Sequence, residues 1–91
     1  MAADRGYAVA QFNLGSCFYR GDGVAQDYAE ALRFYKLAAE QGYTHAENNL
    51  GCMYENGIGV AQNIAEATRW YERAAAKGHE ISKIALARLR A

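Results

Sequence analysis

The sequence predicts an all-α fold: an α/α superhelical solenoid of helix–turn–helix repeats, about five helices in all. Three observations predict it. The chain repeats itself with a 36-residue period. Each unit holds two stretches of helical apolar periodicity. The composition is rich in Ala, free of Pro and poor in β-branched residues, which favours helix over strand.

Laid over residues 38–73, residues 2–37 are identical at 18 of 36 positions without a gap. A third copy starts at Ala74 and stops after half a unit. The chain therefore divides into repeats at 2–37 and 38–73 and a C-terminal half-repeat at 74–91 that caps the stack. Gly6, Gly42 and Gly78 mark the period, as do Leu14, Leu50 and Leu86. A period in the thirties is that of stacked supersecondary units.

Each element has a local reason. The first helix is expected from about Ala8 to Arg20, with Ala10, Leu14, Cys17 and Phe18 on one face. Its copy carries Ala46, Leu50, Met53 and Tyr54. Gly21 and Gly57 stand where these helices end and a left-handed residue is wanted. Asp27 and Asn63 then cap the second helices, and Glu30 and Glu66 complete the capping boxes. The second helix, from about Tyr28 to Glu40, should bury Ala31, Leu32, Tyr35, Ala38 and Ala39. Its copy should bury Ile64, Ala67, Trp70, Tyr71, Ala74 and Ala75. Small residues (Ala10, Gly15, Ala31, Ala38 and their copies) permit close helix approach, and large ones fill the gaps. The last helix places Ile81, Ala85 and Leu89 along one side, with Ile84 widening the stripe. Apolar surface left over there would meet a further unit or promote self-association. The opening MAADRG reads as the end of a second helix without its body. That phase implies a fragment of a longer array, or an engineered minimal one.

The charge balance narrows function. Ten Lys and Arg meet ten Asp and Glu. No nucleic-acid or anionic-membrane partner is expected, since either calls for a basic excess. No apolar run is long enough to span a membrane, and no signal peptide is visible, so a complete chain would be cytoplasmic.

The glycine loop GDGVAQD invites a nucleotide-binding reading. A dinucleotide fingerprint needs a third Gly where Gln26 stands, and a preceding strand where the pattern is helical. The Gly-Lys-Ser/Thr of a phosphate loop is missing, as are the alternating oxygens of a calcium loop. The segment is a structural turn. His45 and His79 have no acidic or thiol cluster at metal spacing. No catalytic residue, metal or cofactor is predicted.

The spacing A-x-x-x-L-G-x-x-[YF]-x-x-G-x-G-V-x-x-[DN]-x-x-x-A-x-x-[WF]-Y-x-x-A-A-x-x-G runs from Ala10 to Gly42 and again from Ala46 to Gly78. It resembles the Sel-one-like repeat, a relative of the tetratricopeptide repeat. The resemblance implies adaptors and scaffolds for protein complexes. The last half-unit departs from it, with Ala87 in place of Gly and Arg90 in place of an aromatic. A cysteine-rich branch of the family bridges the two helices of each unit, and some members have been associated with penicillin binding or hydrolysis. Cys17 and Cys52 lie in different units and at different phases, and Ser82 next to Lys83 makes no Ser-x-x-Lys. The β-lactamase-like alternative therefore loses its support. A structural or engineered block without its own ligand is the other alternative.

In related repeats the first helices line the concave face. The matching positions here are Val9, Phe12, Asn13, Ser16, Tyr19 and Arg20. The second unit offers His45, Asn48, Asn49, Cys52, Glu55 and Asn56. These are the expected partner-binding residues, because all but the Asn13/Asn49 pair differ between copies while the framework repeats. Phe12 and Tyr19 beside Arg20 have the composition of an interaction hot spot. Asn13 and Asn49 recur at a place where relatives hold a peptide backbone. The alternative is that they tie helix to loop within a unit. The expected function is protein–protein interaction, with a peptide or protein held on this face.

Overall fold

The computed structural model describes the backbone of residues 2–91 and the side chains from residue 6 onward. Five helices follow one another: α1 (Ala2–Arg20), α2 (Tyr28–Glu40), α3 (Thr44–Asn56), α4 (Ile64–Ala76) and α5 (Glu80–Arg90). The main packings join α1 to α2, α2 to α3, α3 to α4 and α4 to α5. Each element thus rests chiefly on its sequence neighbours, as in a helical solenoid. The stack measures 39 × 31 × 16 Å.

The inter-helix turns are built twice in the same way. Gly21 and Gly57 adopt left-handed φ values of 76° and 65°. They let the amides of Asp22 and Ile58 reach back to the carbonyls of Cys17 (2.9 Å) and Met53 (2.9 Å), a Schellman-type end. Asp27 and Asn63 accept the amides of Glu30 (3.1 Å) and Glu66 (3.0 Å). The return half of each expected capping box is absent. The Asp27 amide goes to the carbonyl of Phe18 (2.9 Å) and the Asn63 amide to that of Tyr54 (2.8 Å). Glu30 and Glu66 are thereby released and pair with Arg33 and Arg69 one turn on. Gln26 and Gln62 close the loops. Their amides donate to the carbonyls of Tyr19 (2.9 Å) and Glu55 (2.8 Å).

Alanine and glycine set the helix spacing. Ala31, Ala38, Ala46, Ala67 and Ala74 are fully buried. A methyl group added to Gly15 would lie 2.9 Å from the Tyr35 ring, and one on Gly51 would lie 2.7 Å from Tyr71. The two tyrosines pack flat on helix backbone that only glycine leaves open. Around them lies one core containing Leu50, Met53 and Trp70 and a second built on Tyr71, Ala85 and Leu86.

Four expectations are corrected. The helix α1 begins at Ala2 rather than Ala8 and runs through Gly6 without a turn there. No described element lies before it against which the chain could turn. Ala10 is exposed and Leu14 is 40 % exposed, although their copies Ala46 and Leu50 are fully buried. The covering helix for that face exists in the second unit (α2 against α3) but has no counterpart among the described residues for the first. Ile64 is 43 % exposed because it sits in the first turn of α4, facing out beside the loop. In α5 the buried face is Ser82, Ala85 and Leu86. That rotation leaves Ile81 and Ile84 more than 60 % exposed.

Candidate functional site

Between α1 and α3, over the ring of Tyr35, lies a groove of about 630 Å³. Phe12, Asn13, Ser16, Cys17, Tyr19 and Arg20 of α1 form one wall; Asn49, Cys52 and Met53 of α3 form the other. Helical spacing explains the first wall. Residues 12, 16 and 19 stand about one turn apart on one face, with 13 and 20 beside them. The floor is fixed by aromatic packing. The Phe12 ring lies 5.3 Å from Tyr35 and 5.1 Å from Tyr43, in tilted contacts. Tyr19 is held between Tyr28 (5.1 Å) and Tyr35 (6.5 Å). Tilted aromatic contacts at these distances are favourable and orient each ring.

The polar groups of the groove fall into two sets. The Ser16 and Tyr35 hydroxyls bond each other at 3.0 Å, and the Arg20 guanidinium donates to Asp22 at 3.1 Å. The side-chain amides of Asn13 and Asn49 have no hydrogen-bond partner among the described residues and remain free to donate and accept. Burial raises the Tyr19 phenol above its ordinary value, with Cys52, Tyr28 and Tyr35 adding to the effect. The phenol is therefore a neutral donor and acceptor at neutral pH.

Seven of the twelve expected partner-binding residues meet in this groove: Phe12, Asn13, Ser16, Tyr19, Arg20, Asn49 and Cys52. The others lie apart. Val9 and His45 line a second cavity of about 560 Å³ with Tyr43 and Lys77. Asn48 accepts the Ser82 hydroxyl at 2.8 Å. Asn56 turns back onto the Cys52 carbonyl at 2.9 Å. Glu55 accepts the Tyr71 hydroxyl at 2.9 Å and two bonds from Arg88. Cys17, Tyr35 and Met53 belong to the groove but read from the sequence as framework. They sit at the seam where the packed face meets the open one, which helical periodicity alone does not divide.

One buried site shows in the sequence only as a paired difference between copies, Gln11 with Gln41 against Glu47 with Lys77. Glu47 is fully buried. Its carboxylate accepts from Lys77 Nζ at 2.9 and 3.0 Å, with Arg73 at 3.5 Å, and Lys77 also donates to the Gly42 carbonyl at 2.6 Å. The cluster joins the start of α3 to the end of α4. Among the described residues no group of three or more His, Cys, Asp or Glu could hold a metal ion. Both cysteines are free thiols, and no helix is long and apolar enough to cross a membrane.

Stacked two-helix units with an amide-lined groove between successive first helices define a helical repeat scaffold. A family model described as Sel1 repeat matches residues 8–43 and 44–79. The chain belongs to the Sel1 repeat family, whose members are typically protein-interaction modules and generally non-catalytic. Among solved structures it is similar to the Sel1 repeat protein of Oxalobacter formigenes, with a TM-score of 0.88 and 36 % identity over 90 % of this chain. It is also similar to c5321, a protective antigen of uropathogenic Escherichia coli strains with an SLR fold (TM-score 0.82, 43 % identity over 89 % of this chain). Helicobacter pylori cysteine rich protein B follows at a TM-score of 0.79 and 25 % identity over 82 % of this chain. The chain spans 34 %, 17 % and 56 % of those three proteins. No curated protein matches it.

Proposed function

We propose that the protein binds an extended segment of a protein partner along its first-helix face, with the α1–α3 groove as the anchoring point. One observation carries this reading. The groove gathers aromatic side chains and an Arg, the usual composition of a hot spot, around two asparagine amides that have no hydrogen-bond partner among the described residues. An extended backbone offers the donors and acceptors such amides lack. The face is the concave one in this reading, and the repeat units are taken as 2–37 and 38–73 followed by the 74–91 half-unit.

The experiment is a peptide-display selection against the folded chain, followed by titration of the selected peptides. Phe12→Ala, Tyr19→Ala and Arg20→Ala should each weaken binding by about tenfold or more. Val9→Ala, in the second cavity, should leave affinity within about threefold. Peptides that bind equally well to all four variants would place the partner elsewhere.

A further inference from the structure

The two junctions between successive first helices are related by the 36-residue shift, so each groove residue has a counterpart. Position 52 in the α1–α3 groove corresponds to position 88 in the α3–α5 groove, and position 19 corresponds to position 55. Their contents differ. In the first junction the positions hold Cys52 and Tyr19; in the second they hold Arg88 and Glu55.

That difference changes the space. Arg88 extends from α5 and grips the Glu55 carboxylate with both terminal nitrogens, one of them at 2.9 Å. Tyr71 adds its hydroxyl from below at 2.9 Å. The guanidinium therefore bridges the second groove. In the first, the matching floor hydroxyl of Tyr35 bonds Ser16 instead. The short Cys52 side chain cannot reach across, and the neutral phenol of Tyr19 offers no anion to grip. The result is the 630 Å³ space above Tyr35, within the usual size range of small-molecule and side-chain pockets.

We propose that positions 52 and 19 hold the first groove open for one neutral aromatic side chain of a bound segment, and that Arg88 with Glu55 closes a latent second copy of the same pocket. This rests on reading the α1–α3 groove as the binding site. The chemistry of the lining selects the occupant. Two thiols and the Met53 thioether are soft, polarizable surfaces that favour an aromatic ring. Phe12 and Tyr35 supply ring edges and faces. The one charged lining residue, Arg20, already lies beside Asp22, so the space asks for no charge. Asn13 and Asn49 flank the opening to meet the backbone on either side of the inserted ring.

The test uses indole as the probe, followed by amide chemical shifts of the intact chain. Wild-type protein should shift at Ser16, Asn49 and Cys52. Cys52→Arg with Tyr19→Glu transplants the closed pair and should weaken indole by about tenfold or more. Glu55→Tyr with Arg88→Cys transplants the open pair and should add a second set of shifts at Asn49, Ala85 and Leu89. If circular dichroism shows either double variant unfolded, Cys52→Arg or Arg88→Ala alone carries that arm. Absence of indole shifts in the wild type overturns the proposal. So does an unchanged affinity in the closed variant, or no second site in the opened one. A concentration-dependent dimer that disappears in the closed variant would also overturn it, by making a second copy the occupant. Indole responses as expected with no peptide selected by display would remove the proposed partner function and leave the gating intact.

Discussion

The joint of α2 on α1 and the joint of α4 on α3 are made at matching positions from different chemistry. In the first, the Gln41 amide at the end of α2 meets Gln11 on α1. In the second, the corresponding Lys77 meets Glu47, which is fully buried. An exposed amide pair and a half-buried ion pair occupy one set of positions, 36 residues apart. A repeat therefore fixes where a contact is made and leaves open what makes it. Both halves of the contact differ between the two joints, and Gln in place of Lys77 would leave the buried Glu47 carboxylate with Arg73 alone.

The largest effect expected from this comparison comes from position 14 against position 50. Leu50→Ala should cost about 3.5 kcal/mol, as for a fully enclosed leucine, and Leu14→Ala less than about 1 kcal/mol. Urea denaturation of the two variants measures both. Equal losses would mean that the outer face of α1 is covered in solution. Next is the joint itself. Lys77→Met should cost about 2 kcal/mol, less than a fully buried pair would, because Arg73 remains near Glu47 and Lys77 is itself partly solvated. Gln41→Met should cost under about 0.5 kcal/mol, as surface changes usually do. Comparable losses at the two sites would show that the half-buried ion pair confers no more than its amide counterpart.

The smallest effect is a pH dependence confined to the second groove. The hydrogen bond from Arg88 holds the Glu55 carboxyl below its ordinary 4.5; burial opposes this, and the Tyr71 hydroxyl assists. A carboxyl lowered on folding stabilises the fold in full above its unfolded value. That contribution disappears as the pH falls from about 4.5 through the lowered folded value. Arg88→Ala should therefore flatten the acid limb of the stability curve, and Cys52→Ala, at the matching place in the first groove, should leave it unchanged. Parallel acid limbs in the wild type and Arg88→Ala would separate Glu55 from acid stability.

Backbone-scale features were readable in the sequence because they depend on local pattern. Five helices, the glycine stops and the Asp27 and Asn63 caps all follow from periodicity and from what a helix end lacks. Side-chain outcomes were less readable where they depend on a neighbour from another element. Periodicity places Leu14 and Leu50 on the same face but does not say which face a helix will cover. Ile81 and Ile84 looked like the inner stripe of α5, yet the helix turns Ser82 inward and ties it to Asn48. Glu55 differs from its copy Tyr19, which alone suggests a partner contact; its pairing with Arg88 depends on a side chain from another helix. The joint change from Gln11 and Gln41 to Glu47 and Lys77 was present in the aligned repeats. Paired differences, rather than single ones, were the signal for it.

The loop glycines Gly23 and Gly59 look interchangeable, yet their surroundings differ. A methyl group on Gly23 would meet nothing within 4 Å, whereas one on Gly59 would lie 2.6 Å from the Tyr28 carbonyl oxygen, at the start of α2. The second loop thus rests directly on the preceding unit's backbone. Gly59 acts as a shim of minimum thickness at the rim of the stack, while Gly51 does the same at its centre against Tyr71. Gly59 limits the spacing between one unit and the next, whereas Gly51 limits the spacing of the two helices within a unit. A single carbon added at the rim would pry that edge apart and leave the centre fixed. Repeated along a longer array, the same wedge would alter the radius of the whole arc.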